Sequence, residues 1–383
     1  MKTVLRWAVA LCTFLVSTMT SGATLPKSFT LGYNEAWIGN NYGNWLASNP
    51  LFGESSAFSS SLVSALLSGM AQGNAEIVRI FLFPAVQGIS INSASTPETQ
   101  GLTSEFLSNL GTVFQIARSY KLKLYITALN ANDMSVVTPI NNPTLHTYYQ
   151  NLISNGAETS AYETLVLAPI LELMSANRDV IYAFDLIDEI EAAINAGYFS
   201  NSWTGARAWI QNITTFVKSS TRLPTFPRAP ATTSWLPVTS TAGLGYAVQE
   251  ITLGLFSGLG LDFYDLHFYA DSGQYSGQSA LCDKVSADKV SIVLGEYGQQ
   301  SQTYSDSIQL GATTNFLEGA RTSCFSAALA WKYEDPNQTW FTYLKPDGTF
   351  RPAYYFIQSY GPFAQPFSAP RGAQPLASGP SMN

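Results

Sequence analysis

Eight short apolar runs recur along the chain, most of them followed by a longer stretch with helical patterning, and this alternation limits the folds open to it. The runs are SFTLGYN (28–34), EIVRIFLF (76–83), KLKLYITAL (121–129), DVIYAFDLI (179–187), APATTSW (229–235), LDFYDLHFY (261–269), KVSIVLGEYG (289–298) and SAALAWKYE (326–334). Helices are predicted near 55–72, 102–119, 144–177, 202–220 and 242–257. Strand–helix repetition over the whole length argues for a parallel sheet covered by helices. Eight strands predict closure into a (β/α)8 TIM barrel, an α/β fold with a single domain. A length of 383 residues suits one such barrel with elaborated loops. The competing architecture is an open doubly wound sheet. No GxGxxG or P-loop glycine pattern follows any run, so nothing supports a nucleotide site there.

The ends of the chain read differently from its middle. Residues 1–23 pass from basic (Lys2, Arg6) through apolar (Trp7–Val16) to small (Ser21, Gly22, Ala23). That is the order of a secretory signal, and the apolar part is shorter than the roughly 20 residues a membrane span needs. A secreted or periplasmic protein is expected, with its barrel over 24–363. Residues 364–383 are rich in Pro, Ser, Ala and Gly and are predicted to be a disordered tail. Removing the signal takes Lys2 and Arg6 from 19 basic residues, leaving 17 against 26 acidic ones and a net charge of −9. No basic run is present, which argues against a nucleic-acid partner. No membrane span is expected in the mature chain, and a monomer is. Cys282 and Cys324 remain after the signal, each ahead of a predicted strand in adjacent units. In an oxidising compartment they pair; the other reading is two buried thiols.

In a barrel of this kind the reactive groups gather where the strands end. Here polar residues fall at those ends repeatedly: Arg79 in the second run, Asn130 and Asn132 after the third, Asp188 and Glu189 at the fourth. His267 and Tyr269 close the sixth, Glu296 and Tyr297 the seventh, and Trp331 the eighth. The chain has two histidines, His146 and His267, with no HxH or HExxH spacing, so no metal site is expected. No GxSxG elbow is present for a serine nucleophile. What remains is a pair of carboxylates, Glu189 and Glu296, far apart in sequence but able to meet across a barrel mouth. Two carboxylates suffice for glycosidic bond cleavage, one protonated to serve the leaving oxygen and one ionised. Trp331, Tyr297, Tyr269, Trp37 and Trp45 add flat faces for sugar rings. Asp185, four residues before Glu189, reads as a hydrogen-bonded core acid.

Taken in order, GYNEAWIGNNYG (32–43), VRIFLF (78–83), FDLIDEI (184–190), YDLHFYAD (264–271), LGEYG (294–298) and AWKYE (330–334) resemble the clan A glycoside hydrolases. The likeness is to the family 5 cellulase and β-mannanase type, over roughly 29–360. It implies a retaining double displacement without cofactor, on a β-linked polysaccharide or oligosaccharide of mannan or glucan type. Glu189 matches the acid/base and Glu296 the nucleophile. Arg79 matches the arginine that keeps the nucleophile ionised. His267 and Tyr269 match the pair lining the cleavage subsite, with Tyr269 donating to Glu296. Trp331 matches the platform under the sugar. Asn34, Glu35 and Trp37 fall where the first loop touches substrate, and Asn130 joins the substrate-binding set. One position departs from the pattern: the residue before the acid/base, usually Asn, is Asp188. A carboxylate accepts from a sugar hydroxyl but does not donate unless protonated. That departure keeps a second expectation open, a non-catalytic carbohydrate-binding barrel of the cell envelope. A structural or adhesive envelope protein is a third.

Overall fold

The computed structural model describes residues 29–360 apart from 40, 93–94, 201, 223–233, 244, 275–276 and 304. The signal and the C-terminal tail expected from the sequence therefore lie outside the described residues. The barrel strands are β1 (Thr30–Asn34), β2 (Ile77–Phe81), β3 (Lys123–Asn130), β4 (Ile181–Asp188), β6 (Phe263–Tyr269), β7 (Ser291–Gly298) and β8 (Phe325–Ala330). Between β4 and β6 stands β5, in two pieces, Val238–Thr239 and Thr241–Ala242, on either side of Ser240. All pairings within this sheet are parallel. The first piece of β5 pairs with β4 (Asp185 opposite Thr239) and the second with β6 (Thr241 opposite Asp265). With β8 against β1, the strands complete a ring, and the expected (β/α)8 barrel is what the chain forms. A fifth strand was expected at 229–235, of which 229–233 lie outside the described residues; the strand that fills the fifth place in the ring is at 238–242. Thr and Ser there leave little apolar signal, and the strand is too short to show a period.

The outer helices form for ordinary reasons. In the helix Asp306–Arg321, Ser305 caps the start by accepting from the Ile308 amide, with acidic Asp306 in the first turn and basic Arg321 in the last. Its buried residues, among them Ala312, Phe316, Leu317 and Ala320, recur at helical spacing and face the sheet. Ser59 caps the helix Ser60–Gln72 in the same way, so that helix begins five residues later than the composition of 55–72 predicted. Cys282, on the helix Gln278–Asp288, is bonded to Cys324, which immediately precedes β8. Of the two readings of these cysteines, the paired one holds. Among the described residues no helix is long and apolar enough to cross a membrane.

Inside the barrel the strands alternate. One layer of inward residues, including Ile77, Tyr125, Ala183, Phe263 and Val293, forms a closed apolar cluster. Two residues further along the same strands stand Arg79, Thr127, Asp185, Asp265 and Gly295, and the interior becomes polar. The change of layer sets the floor of the site.

Candidate active site

Arg79 is the centre of the polar layer. Its side chain is fully buried, and its guanidinium donates to Asp185 at 2.8 Å, Asp188 at 2.7 Å and Glu296 at 2.6 Å. Asn34 braces it from β1, accepting from Nη1 at 3.4 Å while its own amide donates to the Gly295 carbonyl at 2.8 Å. Asp185 also accepts from Thr241 at 2.7 Å and Thr127 at 3.2 Å, so the reading of Asp185 as a hydrogen-bonded core acid holds. Gly295 has no side chain because Asp265 occupies the space: a Cβ there would stand 2.0 Å from an Asp265 oxygen.

Strand alternation alone would turn Asp188 away from Glu189. Instead the backbone at Glu189 is left-handed (φ 47°, ψ 57°), unusual for a residue with a side chain, and both carboxylates face the cleft. Strained conformations of this kind concentrate at functional sites. Gly243, just after β5, makes room for the result: a Cβ there would meet Glu189 Oε1 at 2.2 Å. Asn132 donates to Glu189 Oε2 at 2.8 Å. His267 Nδ1 stands 3.1 Å from Glu189 Oε1 and 3.4 Å from Glu296 Oε2. The Tyr269 hydroxyl donates to Glu296 Oε2.

Charge in this cluster is unbalanced. Burial pushes the Glu296 carboxyl up, helped by the Asp188 and Glu189 charges, and outweighs the pull of Arg79 and Tyr269. Burial likewise raises Asp188 to about 6, against Arg79 and His267. It raises Asp265 to about 7. His267 is pushed down, by burial first and Arg79 second, so its imidazole is neutral. One guanidinium thus faces several carboxylates, and the set retains protons near neutral pH. Asp188, His267 and Glu296 offer ligand atoms within 4.8 Å of one another, but the guanidinium already bonds both carboxylates of that cluster, Asp188 and Glu296.

Above the cluster lies a cleft in two lobes, of about 500 and 650 Å³, both bordered by Glu189 and Tyr269. Trp37, Asn130 and Trp331 line the first lobe, with Asp188 and Glu296. The Trp37 and Trp331 rings meet edge to face with centroids 6.0 Å apart. His267 lines the second lobe. The structure therefore gathers Asn130, Asp188, Glu189, His267, Tyr269, Glu296, Trp331 and Trp37 around one opening. It corrects two expected substrate contacts. Asn34 and Glu35 are wholly buried and line neither lobe, because each is needed below the cleft as a support, while Arg79, equally buried, bonds Glu296 at 2.6 Å, the partner its match implies. Glu35 accepts from the Glu334 amide at 3.0 Å beneath the wall. Trp45 and Tyr297 are core residues rather than platforms: the Trp45 indole donates to the Phe81 carbonyl at 3.1 Å, and Tyr297, next to inward Glu296, points outward against Phe316.

Several cleft residues escaped the sequence reading. Tyr42, Phe81, Asp133, Asp335 and Gln338 all line the first lobe. Most come from loops, where position relative to a strand end carries no signal. Asp133 had one: it lies three residues after Asn130, at the C-terminal end of β3. Lys332 is the least legible. Fully buried, it stands 3.6 Å from the Trp37 ring centroid and 3.1 Å from Asp335, holding the aromatic wall from behind.

A scan against models of known protein families finds no match, and neither does a search of curated proteins by sequence. Solved structures do match. The β-mannanase from the blue mussel Mytilus edulis superposes with a TM-score of 0.59 at 16% identity, covering 86% of this chain and 91% of that one. The β-1,4-D-mannanase from Cryptopygus antarcticus gives 0.58 at 14% identity, with 86% and 89% covered. A GH5_18 protein from Streptomyces cattleya in complex with GlcNAc gives 0.57 at 15% identity, with 87% and 79% covered. The barrel thus shares its fold with these mannanases and with the GH5_18 protein, and the resemblance expected from the sequence is matched at the level of the fold.

Proposed function

We propose that this protein is a secreted, retaining β-glycoside hydrolase acting on a β-linked polysaccharide or oligosaccharide. The observation that carries the reading is the bridge through His267. Its Nδ1 is 3.1 Å from one glutamate and 3.4 Å from the other, which caps the separation of those two oxygens at about 6.5 Å. Pairs about 5–5.5 Å apart serve retention, and inversion needs about 6.5–9.5 Å to seat a water between them. The neighbouring mannanase folds, the aromatic cleft and the disulfide, which suits an oxidising compartment, support the same reading.

In this reading a Glu296 oxygen attacks the anomeric carbon as Glu189 gives its proton to the departing glycosidic oxygen. A water then enters, Glu189 takes its proton, and the hydroxide displaces Glu296 from the sugar. Tyr269 and Arg79 each hold one Glu296 oxygen, so the attacking carboxylate is fixed in plane and its charge is compensated. Neutral His267 separates the two glutamates without adding charge. Replacing Glu296 with Gln should lower kcat by on the order of 10⁴-fold on a β-mannan or β-glucan panel. Undiminished hydrolysis by the purified variant refutes the assignment. NMR of the first product should show the starting anomer kept, and an inverted product removes the nucleophile role.

The binding-barrel reading draws on a different side of the same cluster. Burial and the Asp188 charge favour the protonated form of Glu296, which does not attack. Oligosaccharide binding without turnover by the unaltered protein across that panel would establish it.

A further inference from the structure

The first lobe of the cleft carries more carboxylates than the reaction uses. Asp133, Asp188 and Asp335 line it beside Glu189 and Glu296, and among the described residues no lysine, arginine or histidine lines it. Two of the extra acids have a cation behind the wall. Asp188 is bonded to Arg79 at 2.7 Å, and Asp335 stands 3.1 Å from Lys332. Asp133 has neither. Its Oδ2 accepts from the Ala85 amide at 2.6 Å and its Oδ1 from Asn130 at 3.4 Å, both neutral donors. No cationic group pairs with it among the described residues.

Recognition of sugar hydroxyls does not require such a group. The amides of Asn130, Asn132 and Gln338 on the same wall donate and accept. What a carboxylate adds is attraction for a cation and repulsion of an anion, strengthened where the walls exclude water. Burial raises the Asp133 carboxyl to about 7, with the Asp188 charge acting in the same direction, which is how an acid behaves when its counter-charge is missing.

Resting on the hydrolase reading, we propose that the cleft selects β-linked glycans carrying free amino groups and rejects those carrying carboxylates or sulfates, with Asp133 as the specificity-determining residue. An ammonium on a sugar in the first lobe supplies the charge that Asp133 lacks, while a carboxylate there faces five acids with no exposed cation.

The test compares four β-1,4 oligosaccharides of equal length at about pH 6.5: a chitosan oligomer, its N-acetylated counterpart, a cello-oligomer and its carboxymethylated form. For the unaltered protein kcat/KM on the free amine should exceed that on the acetylated chain by about tenfold at low salt, as one good charge pair provides. The ratio should shrink as salt rises. Asp133→Asn, which keeps an acceptor for the Ala85 amide, should cut the ratio at least about threefold, and Asp133→Glu should keep most of it. A ratio at or below one overturns the proposal, as does a ratio indifferent to salt. Hydrolysis of the carboxymethylated chain as fast as the plain one does so too. If no chain is hydrolysed, the hydrolase reading fails separately. Calorimetric binding of the same four chains to the unaltered protein then reads the charge selection alone. Amine over acetylated over carboxymethylated sustains it, and no order overturns it.

Discussion

The barrel interior holds two layers that share strands and differ in everything else. Below, Ile77, Tyr125, Ala183, Phe263 and Val293 close the axis by packing. One step up, Arg79, Thr127, Asp185 and Asp265 do so by directed bonds and charge, although they are equally buried. Packing is non-directional and indifferent to protons, so a lost side chain in the lower layer costs contacts and leaves a void. The upper layer depends on each partner of a network. Removing one leaves the others charged and unmatched. The lower layer holds the strands at fixed spacing; the upper one uses that spacing to aim carboxylates at a cleft.

The sharpest way to break this contrast is to damage each layer once. Arg79→Met leaves Asp185, Asp188 and Glu296 without their cation and should destabilise the protein by about 3–5 kcal/mol at pH near 8. Phe263→Ala should cost a similar amount, about 3–5 kcal/mol, by opening a cavity. The difference lies in the proton. The loss in Arg79→Met should lessen towards pH near 5, where the stranded carboxylates take up protons, whereas the loss in Phe263→Ala should stay level. Urea unfolding of both variants at the two pH values decides it, and parallel pH profiles would mean the layers do not differ as described.

A smaller effect is expected in the unaltered protein. Asp133 and Asp265 are raised to about 7 and Asp188 to about 6 by burial, above the ordinary aspartate value of roughly 3.9. The folded state therefore holds protons that the unfolded chain releases between those values. The stability from these groups is fully present below about pH 4 and is lost as pH rises through 6 and 7. Tm should be about 5–10 °C higher at pH near 5 than at pH near 8. A Tm that rises over that range contradicts the upper-layer electrostatics.

The smallest shift concerns Asp188. Its charge is one of the causes that raise Glu296. Asp188→Asn removes that charge, so the acid limb of the kcat/KM profile, set by ionisation of the nucleophile, should move down by about one pH unit. An unmoved limb means the two carboxylates do not interact in the working enzyme.

How much of this was legible beforehand follows from the kind of signal each residue carries. The apolar runs named seven of the eight strands because a strand buried on both faces is written as continuous hydrophobic residues. The fifth, around Ser240, is made of small polar residues whose bonds go to neighbouring strands, and its run of sequence looks like a loop. Glu189, Glu296, His267, Tyr269 and Trp331 were legible because chemistry in a barrel gathers at strand ends, a position that can be counted along the chain. Asp133, Lys332 and Gly243 were not, since what defines them is a neighbour tens or hundreds of residues away.

The sequence by itself determined the repeating architecture and which carboxylates end its strands, since periodicity and burial are written locally. Only the tertiary structure decided what those carboxylates experience. Arg79 meets three of them at once, the left-handed turn at Glu189 leaves its carboxylate in the same cleft as that of Asp188, and Asn34 and Glu35 drop beneath it. Charge interactions depend on distance in space and on the water excluded between groups, and neither is a property of order along the chain.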